Sequence, residues 1–116
     1  LNEDGIITPR INGVATQTGG YIANLTQTGT GAPTAIVFTG QLITWTRTAS
    51  GEYLGTPITP YEFQTTYVMI NNVEHDYLTS AYINTDGNVV IVTCRTSGHS
   101  HQDNVLNNTS LEIRTY

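Results

Sequence analysis

From Thr34 to the end of the chain, short runs rich in Thr, Val, Ile and Tyr recur at roughly 8–12 residue intervals, each bounded by Gly, Asn, Ser or Pro. β-Branched and aromatic side chains fit a pleated, half-buried surface, and runs this short make strands more readily than helices. The spacing predicts an all-β fold, an antiparallel β-sandwich of jelly-roll-like style. The expected strands are Ala35 to Thr39, Leu42 to Thr48, Glu52 to Thr56, Thr65 to Asn71, Tyr77 to Asn84, Val89 to Arg95 and Thr109 to Tyr116.

Alternation within the runs assigns faces. Ile43, Trp45 and Arg47 alternate with Thr44, Thr46 and Thr48, which puts Trp45 in the core. Ala49-Ser50-Gly51 then turns the chain back through Tyr53 as a hairpin. A second hairpin is expected at Asn84-Thr85-Asp86-Gly87-Asn88, because Asp-Gly tolerates positive φ between two strand-like runs. Its second arm, Val89 to Cys94, is apolar on both faces and suits a central strand or one facing a subunit partner. In the last run Leu111, Ile113 and Thr115 oppose Glu112, Arg114 and Tyr116.

Residues 1–33 read differently. Gly, Thr and Gln dominate, and the stretch is expected to be an irregular arm with one short strand near Tyr21 to Leu25, preceding a sandwich domain over 34–116. Such an arm can complete its folding on a neighbouring subunit or meander over its own domain.

Composition narrows the function classes. A chain of 116 residues supports one core. Charged residues are only 11% and Lys is absent. Arg10, Arg47, Arg95 and Arg114 are scattered and the net charge is −5, so no basic patch for nucleic acid can be drawn. The single Cys94 excludes an intrachain disulfide, and its apolar surroundings read as core. No apolar run approaches the ~20 residues of a helical membrane span, so membrane insertion is not expected. The chain opens on Leu, which fits the ordered part of a longer polypeptide.

His99-Ser100-His101 is the most suggestive cluster for chemistry. Two imidazoles at i and i+2 of an extended segment point to one side, with Asp103 close behind, and three copies about a threefold axis would offer enough nitrogens for an octahedral transition metal. An exposed polar loop is the other reading. His75 between Glu74 and Asp76 could act as a carboxylate-oriented base or lie in a solvated turn. No Ser lies in Gly-x-Ser-x-Gly, and no carboxylate pair stands out among Glu52, Glu62, Glu74, Asp76 and Asp86, so an enzyme is not expected. Asn24-Leu25-Thr26 and Asn107-Asn108-Thr109 match the glycosylation sequon. Aromatic rings with a polar handle stack on sugars and fill protein pockets, and Tyr21, Tyr61, Tyr67 and Tyr82 are the candidates for such receptor binding, against core packing.

The run Ile43-Thr44-Trp45-Thr46-Arg47-Thr48-Ala49-Ser50-Gly51-Glu52-Tyr53-Leu54-Gly55-Thr56 and the closing Asn107-Asn108-Thr109-Ser110-Leu111-Glu112-Ile113-Arg114-Thr115-Tyr116 resemble the C-terminal domains of bacteriophage fibre, spike and virion-decoration proteins. The resemblance implies a compact trimeric jelly-roll or tumour-necrosis-factor-like head at the virion surface. Its partners would be its own copies in a homotrimer, other virion proteins, and a host-surface glycan or protein. It places Leu111 to Tyr116 near the trimer core, and His99-x-His101 is similar to the His-x-His repeats that hold metal on some fibre axes. A carbohydrate-binding or adhesin-like sandwich outside any virus is the other function expected.

Overall fold

The computed structural model describes residues 20–71 and 76–116, together with the backbone of two short paired strands, β1 (Arg10–Ile11) and β2 (Val14–Ala15). Then follow β3 (Tyr21–Thr26), β4 (Thr34–Thr39), β5 (Ile43–Ala49), β6 (Glu52–Pro57), β7 (Thr66–Ile70), β8 (Tyr77–Ile83), β9 (Val89–Arg95) and β10 (Thr109–Thr115). Among the described residues there is no helix. Sheet I has the order β4-β3-β10-β7 and sheet II the order β5-β6-β9-β8, with antiparallel neighbours throughout. The expected antiparallel β-sandwich is what the chain folds into. Hairpins β3–β4, β5–β6 and β8–β9 stay within a sheet, and the chain changes sheet after β4, β6, β7 and β9.

Strand alternation builds the core between the sheets. Sheet I contributes Tyr21, Ala23, Leu25, Leu111 and Ile113, and sheet II contributes Ile43, Trp45, Tyr53, Val89 and Ile91. Trp45 stands opposite Gly55 across the β5–β6 pair, and a Cβ on Gly55 would come within 2.7 Å of the indole Cζ3, so the glycine makes room for the ring. The Asn84–Asn88 turn joins β8 to β9 as expected. Asn84 Oδ1 accepts from the Asp86 and Asn88 amides, each at 3.0 Å, while Gly87 takes φ +83°.

Two expectations need correction. The division at residue 33 separates strands that the structure pairs: β3 lies between β4 and β10, and its Tyr21, Ala23 and Leu25 are fully buried. The short strand expected near Tyr21 to Leu25 is β3 itself, and its alternating apolar residues pack into the sandwich core. Cys94, expected in the core, points the other way. Val89, Ile91 and Thr93 take the inward positions of β9, which leaves Cys94 half-buried on the outer face opposite Leu78.

Candidate interaction surface

A polar latch fixes the long β9–β10 connection. Asp103 receives Arg47 from β5, with Nη2 2.7 Å from Oδ2 and Nε 3.2 Å from Oδ1. The same carboxylate accepts the Gly51 amide at 2.9 Å and the Tyr53 hydroxyl at 2.7 Å. Gln27, buried just beyond β3, extends the network: its Oε1 lies 2.8 Å from the Tyr53 hydroxyl and accepts the Asn104 amide at 2.8 Å, while its Nε2 donates to the Gly29 and Gly31 carbonyls. Tyr53 has one proton and two acceptors in reach, and the charged Asp103 is the stronger one. Arg47 above all, helped by the Gly51 amide and the Tyr53 hydroxyl, holds the Asp103 carboxyl down at about 2. Burial, with Asp103 adding to it, pushes the Tyr53 phenol well above its ordinary value.

This latch is structural. It ties β3, the β5–β6 hairpin and the β9–β10 connection together at one end of the sandwich, and so fixes the loop that carries the two histidines. Neither Gln27 nor the Arg47–Asp103 pairing was legible beforehand, since the partners are far apart in the chain.

The loop itself departs from the extended geometry expected for His99-Ser100-His101. His99 lies in a turn with φ +55°, whereas His101 forms an isolated bridge to Cys94. The His101 Nδ1 is 3.1 Å from Glu52 Oε2 on the outer face of sheet II. Asp103 is committed to Arg47, so the carboxylate does not join the histidines. Among the described residues no group of three or more His, Cys, Asp or Glu side chains is placed to hold a metal within one chain. Glu74 and His75 of the proposed acid–base tripeptide lie outside the described residues.

The four candidate tyrosines separate. Tyr21 and Tyr61 are core residues, and their rings cannot meet a receptor in the folded chain. Burial raises both phenols. Tyr67 and Tyr82 are exposed, at 59% and 52%, but on the outer faces of sheets I and II respectively, so they cannot form one site within a chain. Of the sequon asparagines, Asn24 is half-buried in mid-strand opposite Ser110 and Ile36, whereas Asn107 is exposed in the connection before β10.

The outer face of sheet I is the more distinctive surface. Register aligns Met69, Glu112 and Ile22 across β7, β10 and β3, and sets Tyr67 beside Arg114 in the neighbouring row. Tyr116 packs edge-on against Tyr67, with ring centroids 5.4 Å apart. Within this apolar frame Glu112 and Arg114 neutralise each other, Nη2 lying 3.1 Å from Oε2. A depression of about 390 Å³ opens between Ile22, Met69, Ser110 and Glu112. Exposed apolar side chains around an internally matched ion pair suit a face that loses water on contact with another surface.

Comparison with protein-family models, curated proteins and solved structures gives no match for this chain.

Proposed function

We propose that this chain is a non-enzymatic assembly and attachment module of a virion surface, a trimeric tip or decoration domain of the fibre and spike type. The outer face of sheet I carries the reading. Its apolar frame of Ile22, Met69, Tyr67 and Tyr116 surrounds a Glu112–Arg114 pair that needs no partner charge, so burying the face against other copies strands no ion. β10 runs through the middle of that face, which agrees with the closing strand lying near the axis in the domains the chain resembles. In this arrangement sheet II and the loops remain for a host glycan or protein.

The test is solution mass by light scattering coupled to size exclusion, for the wild-type chain and for an Ile22→Lys/Met69→Lys variant. The reading requires trimers, alone or joined, that the variant disrupts while keeping the β-sheet circular dichroism spectrum. In this arrangement His101, beside Glu52 on the outer face of sheet II, faces away from the axis, so the mass should be the same with and without a chelator.

A second reading, a carbohydrate-binding or adhesin-like module, is favoured by one observation. The exposed Tyr67–Tyr116 ring pair sits beside Arg114, an aromatic surface with a polar neighbour of the kind that sugars meet. A wild-type chain that stays monomeric would favour it and overturn the trimeric assembly.

A further inference from the structure

Sheet I ends at β4, whose outer edge has no strand beside it among the described residues. An unpaired edge exposes a row of amide and carbonyl groups that will accept another strand, and proteins ordinarily guard such edges with charged residues, Pro or a cover. β4 carries no charged residue and no Pro within Thr34–Thr39, Pro33 standing just before it, and among the described residues no strand lies against its outer edge; residues 11–46 contain no Asp, Glu, Lys, Arg or His. Its side chains are apolar and exposed: Ile36 at 62%, Val37 at 42% and Phe38 at 64%.

Two details set this edge apart from a merely uncovered face. Val37 stands opposite Ala23, which is fully buried, so it belongs to the core side of the sheet. It is nevertheless exposed. Phe38 is a bulge residue: Ile22 opposes Thr39 and Ala23 opposes Val37, which leaves Phe38 without a partner on β3. The edge therefore offers a free backbone ladder with uncovered apolar groups at Ile36, Val37 and Phe38.

We propose that β4 pairs antiparallel with β4 of a second copy of this chain about a twofold axis normal to the sheet. A strand without charge meets no repulsion from its own image, and an antiparallel pair is self-complementary under a twofold. Donors and acceptors on the free edge of one copy then meet counterparts on the other over most of the strand. Pairing makes sheet I continuous across both copies and covers each Val37 with the partner's core-side edge. The contact lies in the plane of the sheet, so it is compatible with the trimer formed through the outer face and joins one trimer to another.

A thiol scan tests the pairing. In a Cys94→Ala background, each residue from Thr34 to Thr39 is replaced singly by Cys, and disulfide-linked dimer is measured on non-reducing gels after mild oxidation. One residue of a twofold strand pair faces its own copy at a Cα separation of about 4.5–5.5 Å, within disulfide reach. The next residue on the same face is displaced from its own copy by about 13 Å along the strands. The proposal requires crosslinking to peak at one position. Crosslinking that is uniform along β4, or no faster than in a Thr46→Cys control on the β5 edge, overturns it.

Mass supplies the second measurement. Val37→Lys, with its circular dichroism spectrum retained, halves the number of chains per particle; an unchanged mass overturns the pairing. The Ile22→Lys/Met69→Lys variant leaves the β4 crosslink intact while removing the trimer, so the two contacts fail separately.

Discussion

Arg47 Nη2 lies 2.7 Å from Asp103 Oδ2, closing a contact between residues 56 apart in the chain. Side-chain exposures of 23% and 12% place the pair at the rim of the core. Its importance comes from what shares the carboxylate. Gly51 and Tyr53 donate to Asp103 Oδ1, so one residue anchors the β5–β6 hairpin to the β9–β10 connection.

Asp103→Ala strands the Gly51 amide and leaves the Tyr53 hydroxyl to Gln27 alone. An unsatisfied buried polar group costs about 1–3 kcal/mol, and the loss of several bonds puts the variant at the upper part of that range. Thermal unfolding followed by circular dichroism should show a Tm lowered by about 10 °C. A Tm within 2 °C of wild type, taken as about the measurement resolution, would mean that the latch contributes nothing.

The same carboxylate gives a pH signature. Its folded value of about 2 lies below the ordinary Asp value of about 3.9, so the native state binds this proton less readily than the unfolded chain. The stabilisation is therefore complete above about pH 5 and lost as pH falls through the folded value. Between pH 5 and about 2 the Tm of the wild type should fall faster than that of Asp103→Asn, and the two curves should converge. Parallel curves would remove Asp103 as the source.

Two tyrosines provide an internal control. Tyr53 Oη is bonded to Asp103 and lies within reach of Gln27, whereas Tyr21 Oη is buried beside the Trp45 side chain with no well-formed hydrogen bond. Tyr53→Phe should destabilise by about 1–2 kcal/mol and Tyr21→Phe by less, because the Tyr21 hydroxyl makes no well-formed bond and has only the Trp45 side chain to lose. Urea titrations of both variants measure the difference, and equal losses would contradict the assignment.

Gly51→Ala should be costly for two reasons. Gly51 has φ +64°, where a side chain is strained, and a new Cβ would come within 2.6 Å of the Gln102 amide nitrogen and still closer to the Thr93 carbonyl oxygen. A loss above about 2 kcal/mol is expected in the same titrations, since neither backbone atom can move away without breaking the Thr93–Gln102 contacts. Gly98→Ala is the comparison. Gly98 also has positive φ, at +79°, but a Cβ there meets nothing within 4 Å, so its cost should be limited to the strain.

Much of this fold was legible because it rests on local rules. β-Branched runs, a period of two and the Asp86-Gly87 turn fixed the strands, the Trp45 core position and the second hairpin, and alternation placed Arg47 on the same face as Trp45. The surface was less legible. Tyr21 and Tyr67 are the same residue type in similar runs, and only the register of β3 and β7 decides that one ring is buried and the other faces outward.

By itself, the sequence determined strand content, alternation and turns, since these depend on side-chain shape and backbone preference within a few residues. Tertiary structure decided the rest. It placed β3 inside sheet I, turned Cys94 outward, brought Gln27, Arg47, Tyr53 and Asp103 together, and left β4 as an uncharged edge. Each of these depends on which strands pair and in what register. That choice is made by the total apolar surface two sheets can bury and by the polar groups their connections can satisfy, and both sums run over residues far apart in the chain.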